Sequence, residues 1–159
     1  TKQSWCICIL ININQKTNQM KNFKTVLIVT LILDIIQFIP LVLVKLGGEM
    51  KNQMISDFNI EGLASSAPAL EVLDTMFNVF GFIYLGTVLS VIYSLRLKTN
   101  EALKSATFIL FIVHLFWTLP DFVTLFSGGS THPPIVIMVF TLLPVIGLYY
   151  VSQKGELKS

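Results

Sequence analysis

The residues of this chain that could do chemistry are polar side chains inside long apolar stretches. Asp34 lies about ten residues into the first stretch and His114 about twelve residues into the third, which at about 1.5 Å per helical residue gives similar depths. A carboxyl group and an imidazole at one depth can share a proton. Because a carboxylate at the centre of a bilayer costs at least about 2.5 kcal/mol, we expect Asp34 and His114 to pair, directly or through one water.

Further polar residues follow the same helical spacing. Gln37 is one turn from Asp34. On the third stretch, one helical face carries His114 together with Trp117, Thr118 and Asp121. Asn78 in the second stretch comes level with Asp121. The pattern predicts a middle polar layer and a second layer nearer the outside. The candidate intramembrane site therefore contains Asp34, Gln37, His114, Trp117, Asp121 and Asn78.

Two interpretations of this site remain open at the level of sequence. The side chains could form a proton relay, a ligand cavity or a pore lining. They could instead be interhelical hydrogen bonds, which contribute about 0.6 kcal/mol on average in a membrane bundle. The second interpretation suits Gln37, Asn78 and Thr118 better, whereas the titratable pair of Asp34 and His114 favours a functional site.

Several other chemistries have no matching pattern. The chain has no H-E-x-x-H motif, no phosphate-binding glycine loop and no G-x-S-x-G motif. Its two cysteines, Cys6 and Cys8, lack a second ligand pair for a metal. The basic residues are scattered at the ends of the apolar stretches. We therefore expect no metal, no cofactor and no nucleic-acid partner.

Four apolar stretches must position the polar residues. They cover residues 23–44, 76–97, 102–126 and 134–151, and each has about the 20 residues that a helix needs to cross a bilayer. Hydrophobic residues make up 53% of the chain and charged residues 13%, about half the charged share of an ordinary soluble domain. The sequence predicts an all-α membrane protein, a four-transmembrane-helix bundle with an outer loop at residues 45–75.

The charge distribution predicts the orientation. Basic residues gather on one side of the four stretches, whereas the other side has Lys45 and Lys51 among several acidic residues. The first group is Lys2, Lys16, Lys21, Lys24, Arg96, Lys98, Lys104, Lys154 and Lys158. By the positive-inside rule, the N- and C-termini are cytoplasmic. We expect a multi-pass protein of a bacterial cytoplasmic membrane.

The chain before the first stretch has a different character. Residues 5–13 are apolar but too short to span a membrane, and they lack the features of a signal peptide. We expect residues 1–19 to be a disordered tail or a non-native upstream segment. Residues 20–155 then form the four-helix membrane domain.

Two further patterns concern packing. Gly86, Ser90 and Ser94 form a small-residue stripe, which predicts close helix packing within the bundle or between protomers. Pro40, Pro120 and Pro144 each lie inside an apolar stretch. Each removes one helical hydrogen bond, so together they predict an irregular bundle that is partly open in its outer half.

The span layout of residues 20–155 resembles that of small four-helix DoxX-like membrane proteins, which also have inside termini and a longer outer first loop. The resemblance covers architecture alone and carries over no functional residue.

Two function hypotheses follow. The first is a non-enzymatic membrane module that binds a lipid, a quinone or another apolar ligand, or a partner protein or second copy, in its outer half. The alternative is a membrane enzyme or proton-coupled carrier centred on Asp34 and His114.

Overall fold

The computed structural model of the protein describes residues 22–58, 60–128 and 133–157. The predictions for residues 1–19, including Cys6 and Cys8, lie outside the described residues. Within the described residues the chain is helical and has no strand. The helices are α1 (Phe23–Leu46), α2 (Glu49–Asp57), a 3-10 turn (Leu63–Ser65), α3 (Ala67–Ser94), α4 (Asn100–Phe126) and α5 (Ile135–Lys154).

Local sequence signals set the helix ends. The Asn22 side chain accepts a hydrogen bond from the Lys24 N–H at 3.0 Å, and Thr99 accepts one from the Ala102 N–H at 3.3 Å, so both act as N-caps. The α1 helix stops at Gly47, whose φ of 83° suits a residue without a side chain. The prolines Pro40, Pro120 and Pro144 lie inside helices that continue through them.

Four of the helices, α1, α3, α4 and α5, are long and apolar enough to cross a membrane by length and composition. The predicted number of spans is confirmed on this basis. The predicted and observed helix bounds differ most for α3, which begins at Ala67 and not at Met76. Pro68 occupies the first turn, where its missing N–H is not needed, so the helix can start there. The predicted outer loop consequently contains α2, the 3-10 turn and the first turns of α3.

The four long helices form a ring in which α1 packs against α3 and α5, and α4 packs closely against α5 but more loosely against α3. Helices α1 and α4 therefore face each other across the diagonal. Any side-chain contact between them must pass through the centre of the bundle.

One end of the bundle, here called the basic end, brings together the start of α1, the α3–α4 link and the end of α5. Asn22 pairs with Glu156 in an isolated bridge, and the Leu157 N–H donates to the Asn100 Oδ1 at 2.8 Å. The main apolar core lies in this half of the molecule. Its buried members are Phe23, Leu27, Val91, Leu103, Leu110, Leu148 and Val151.

The opposite end, the far end, is covered by α2. Ile55 of α2 is buried, and the Lys51 ammonium lies 2.7 Å from the Asp74 carboxylate of α3. This ion pair ties the short helix to the first turns of α3.

The outward faces of the long helices remain apolar. In the most apolar 18-residue stretch of each long helix, only 17% to 33% of the residues are buried inside the structure. Exposed apolar side chains such as Ile36, Phe82 and Phe116 lie along these helices. A water-soluble monomer rarely exposes so much contiguous apolar surface.

Candidate functional site

Asp34 of α1 and His114 of α4 meet at the centre of the bundle. The His114 Nε2 lies 3.1 Å from one carboxylate oxygen of Asp34 and 3.3 Å from the other. The exposed fraction is 1% for Asp34 and 8% for His114. The pair therefore links the two diagonal helices through the interior, as their matching depth predicts.

The hydrogen-bond partners fix how many protons the pair holds. The His114 Nδ1 lies 2.7 Å from the Leu110 carbonyl oxygen, which can only accept, so Nδ1 carries a hydrogen. The Nε2 faces a carboxylate, and one further proton must lie between them to make a hydrogen bond. Whether this proton resides on the ring or on the carboxyl group, the pair as a whole is neutral. A neutral pair is the form that a buried site tolerates best.

Two residues extend the pair on the side towards the far end. The Tyr84 hydroxyl of α3 donates to the Gln37 Oε1 of α1 at 3.3 Å and also lies close to the Asp34 carboxyl group. Tyr84 is buried and Gln37 is half-buried. The polar centre thus has members on α1, α3 and α4.

Aromatic rings pack around this centre. The Tyr84 ring stacks on Phe38 with centroids 5.8 Å apart and lies 5.2 Å from the Trp117 ring. Phe80 packs edge-on against Trp117 at 5.9 Å. These contacts hold the Tyr84 hydroxyl in place, because its ring packs against aromatic side chains of both α1 and α4.

A small cavity adjoins His114. All four long helices contribute to it, through Gln37 of α1, Tyr84 of α3, His114, Trp117 and Thr118 of α4, and Thr141 of α5. Its volume of about 10 Å³ is close to the minimum that holds one water molecule. The cavity can therefore accept a single water but no organic substrate.

Buried hydroxyl groups lie one turn to either side of the pair. Thr118 donates to the His114 carbonyl oxygen at 2.8 Å, so its polar group is satisfied. Thr30, one turn from Asp34 towards the basic end, is 1% exposed, and its Oγ1 has no partner among the described residues. Between the pair and the basic end lies the apolar core, which also contains the buried Thr107, whose hydroxyl donates to the Leu103 carbonyl oxygen at 2.7 Å.

The structure separates the second predicted layer. Thr118 lines the small cavity beside His114, whereas Asn78 lines a different cavity between α1 and α3. Asp121 is half-buried and does not line the His114 cavity. Asn78 is therefore not part of the central site.

The small-residue stripe faces mainly outward. Gly86 and Ser90 are exposed and Ser94 is buried. A methyl group added at Gly86 would meet nothing within 4 Å. The hydroxyls of Ser90 and Ser94 donate to carbonyl oxygens of their own helix at 2.8 Å. Gly86 consequently makes no close helix contact within the described chain.

The second cavity, here called the α1–α3 groove, measures about 240 Å³. Its walls are apolar except for two polar side chains, Lys45 of α1 and Asn78 of α3. Phe38 and Leu41 line it on α1, and Phe77 and Gly81 line it on α3. Such a groove can take an apolar chain with a polar group at the Lys45 end.

The residue that sequence reasoning missed is Tyr84. Tyrosine in membrane helices is enriched at the interfaces, so a tyrosine near the middle of an apolar stretch was the signal available. Within the described residues, no group of three or more histidine, cysteine or acidic side chains is placed to hold a metal ion.

No family model, no curated protein and no solved structure matches this chain. The resemblance to DoxX-like proteins accordingly remains one of span layout, and the interpretation of the site depends on its own geometry.

Proposed function

We propose that this is a multi-pass membrane protein that binds an amphiphilic, lipid-class ligand in the half of the bundle next to the far end. Four helices of sufficient length and their apolar outward faces support the membrane location. The lysines and arginine at the basic end support a cytoplasmic position for that end. The α1–α3 groove then opens to the outer leaflet.

The observation that carries the proposal is the composition of the α1–α3 groove. Its volume of about 240 Å³ lies below the range of about 300–1,000 Å³ typical of sites for drug-sized molecules. Its polar groups, Lys45 and Asn78, lie nearer the far end than Phe38 and Leu41. This arrangement suits one flexible apolar chain with its polar group at the far end.

The alternative, a proton-coupled carrier or enzyme centred on Asp34 and His114, has weaker support. A carrier needs access to its proton site from both sides, but buried apolar side chains such as Leu27, Leu103 and Leu148 fill the interior towards the basic end. The cavity beside His114 holds about one water molecule. Both features favour a binding module over a transport path.

Filling the groove should weaken ligand binding. Gly81 lines the groove, and a methyl group added there would meet nothing within 4 Å. The leucine side chain of Gly81→Leu can therefore leave the helix without a clash and extend into the ligand's space. We expect photocrosslinking to a phosphatidylcholine with a diazirine in its acyl chain to label Phe38 and Leu85 of the wild type. Labelling should fall about tenfold in Gly81→Leu, equivalent to about 1.4 kcal/mol.

Gly86→Leu is the matched control. Gly86 is on the same helix, has equally open surroundings and does not line the groove, and both substitutions raise helix propensity equally. Its labelling should equal that of the wild type. Equal labelling of the wild type and Gly81→Leu, or labelling spread evenly around the four helices, would contradict the proposal.

A further inference from the structure

The two lysines of the far end differ in their partners. The Lys51 ammonium is paired with the Asp74 carboxylate at 2.7 Å. Lys45, six residues earlier, is exposed and has no ion pair or hydrogen bond through its ammonium group with the described part of the chain. Lys45 lines the α1–α3 groove, whereas Lys51 does not.

The position of Lys45 along α1 places its charge at a membrane surface. It is 22 residues beyond Phe23, which is about 33 Å at 1.5 Å per residue. The hydrocarbon core is about 30 Å thick. With Phe23 at one boundary, the ammonium group lies at the headgroup level of the opposite leaflet.

The groove runs from this level into the hydrocarbon. Phe38 is seven residues before Lys45 on α1, and Leu85 is seven residues after Asn78 on the antiparallel α3. Both intervals correspond to two turns, or about 10 Å. The groove therefore has a polar mouth and an apolar floor, in the same order as the headgroup and acyl chain of an outer-leaflet phospholipid.

We propose that the α1–α3 groove selects an anionic phospholipid, with its phosphate on Lys45 and one acyl chain between Phe38 and Leu85. This inference rests on the proposed function and adds the ligand's charge. A headgroup with a net negative charge neutralises the unpaired ammonium group of Lys45. In a zwitterionic lipid, the positive charge of the choline offsets the negative charge of the phosphate. The Asn78 amide, opposite, can donate to an ester carbonyl oxygen of the lipid.

The acidic residues of the far end oppose this selection, but they lie outside the groove. Glu49 and Glu71 are exposed and do not line the groove. At 0.15 M salt the charge of an exposed group is screened over about 8 Å, whereas a phosphate in the groove mouth contacts Lys45 directly. The local contact therefore dominates at physiological salt.

The test compares two lipids with identical diazirine-bearing acyl chains, phosphatidylglycerol and phosphatidylcholine, in vesicles at 0.15 M salt. Wild-type protein should label about fivefold more with phosphatidylglycerol, the effect of one lysine near a membrane surface. Lys45→Gln should remove this preference and keep the labelling by phosphatidylcholine. The double variant Lys51→Gln, Asp74→Asn removes an ion pair without changing net charge, so it should keep the preference.

The outcomes separate this inference from the proposed function. If Gly81→Leu lowers labelling by both lipids but Lys45→Gln leaves the lipid preference intact, the groove binds lipid without distinguishing the charge of its headgroup, and the inference is wrong. A wild type without preference leads to the same conclusion. Loss of the preference in the Lys51 and Asp74 double variant would overturn it too, because α2 would then be its source.

Discussion

Among the described residues, Asp34 and His114 form the one contact between titratable side chains of α1 and α4. Their geometry leaves a single proton between the His114 Nε2 and the carboxyl group, because Nδ1 is already committed to the Leu110 carbonyl oxygen. The two residues depend on each other, since either alone would lose its charge-balancing partner in the buried interior. We therefore expect strongly non-additive effects of their substitution.

His114→Leu should lower the free energy of unfolding by about 3–5 kcal/mol, because it removes the histidine partner of the buried Asp34 carboxyl group. Asp34→Asn keeps a hydrogen-bonding group and should cost about 0.6–1.7 kcal/mol. The double variant Asp34→Leu, His114→Leu should cost less than the sum of the two single leucine variants. Unfolding of the purified protein in bicelles measures these values.

Thr30→Val provides the control one turn away. Because the Thr30 hydroxyl has no partner among the described residues, its removal should be neutral or stabilising. Additive costs at Asp34 and His114 would contradict the pairing. A proton flux across vesicles that Asp34→Asn abolishes would instead support the carrier alternative.

At the scale of the elements, the end of α5 lies against the start of α1. A methyl group added to Gly155 would lie 2.6 Å from the Phe23 ring and would also clash with the Val151 carbonyl oxygen. The φ of Gly155 is −69°, an ordinary value for any residue. Its requirement for glycine therefore comes from the close approach of the Phe23 ring and of the Val151 carbonyl oxygen, and not from a left-handed backbone.

Gly155→Ala should consequently destabilise the protein by about 1–3 kcal/mol, the usual effect of overpacking. Gly81→Ala is the matched change, because a methyl group there meets nothing within 4 Å, and the gain in helix propensity should make it neutral or stabilising. Unfolding of both variants under identical conditions tests the contact between α5 and α1. Equal stabilities of the two variants would show that the α5 end can separate from Phe23 without loss.

At the scale of the whole molecule, α1 begins at the basic end of the bundle and α5 ends there. The bridge between Asn22 and Glu156 and the bond from Leu157 to Asn100 place these segments side by side. Any membrane orientation must therefore put both on one side. The charge distribution then decides which side that is.

Reporter fusions should consequently give opposite results at the two ends. A reporter at Ser159 should be cytoplasmic, and one inserted within residues 51–66, which cover most of α2 and the link to α3, should lie on the opposite side. Paired enzymatic reporters, each active in one compartment, measure both positions in the same cells. If the reporter at Ser159 were active outside the cytoplasm, the orientation would be the reverse of the prediction, and the α1–α3 groove would lie in the inner leaflet.

The sequence by itself determined the quantities that run along a helix. The number of long helices and the common depth of Asp34 and His114 follow from apolar length and from a fixed rise per residue. These features depend on neighbours within a few turns of the same chain segment.

Only the tertiary structure decided which faces meet. Asn78 and Thr118 share a depth, yet they line different cavities, because α3 packs against α1 more closely than against α4. The same arrangement brings Tyr84 to Gln37 and forms the α1–α3 groove. Depth is a property of one helix, but the rotation and order of helices depend on how side chains of all four pack together, and no single stretch of sequence contains that information.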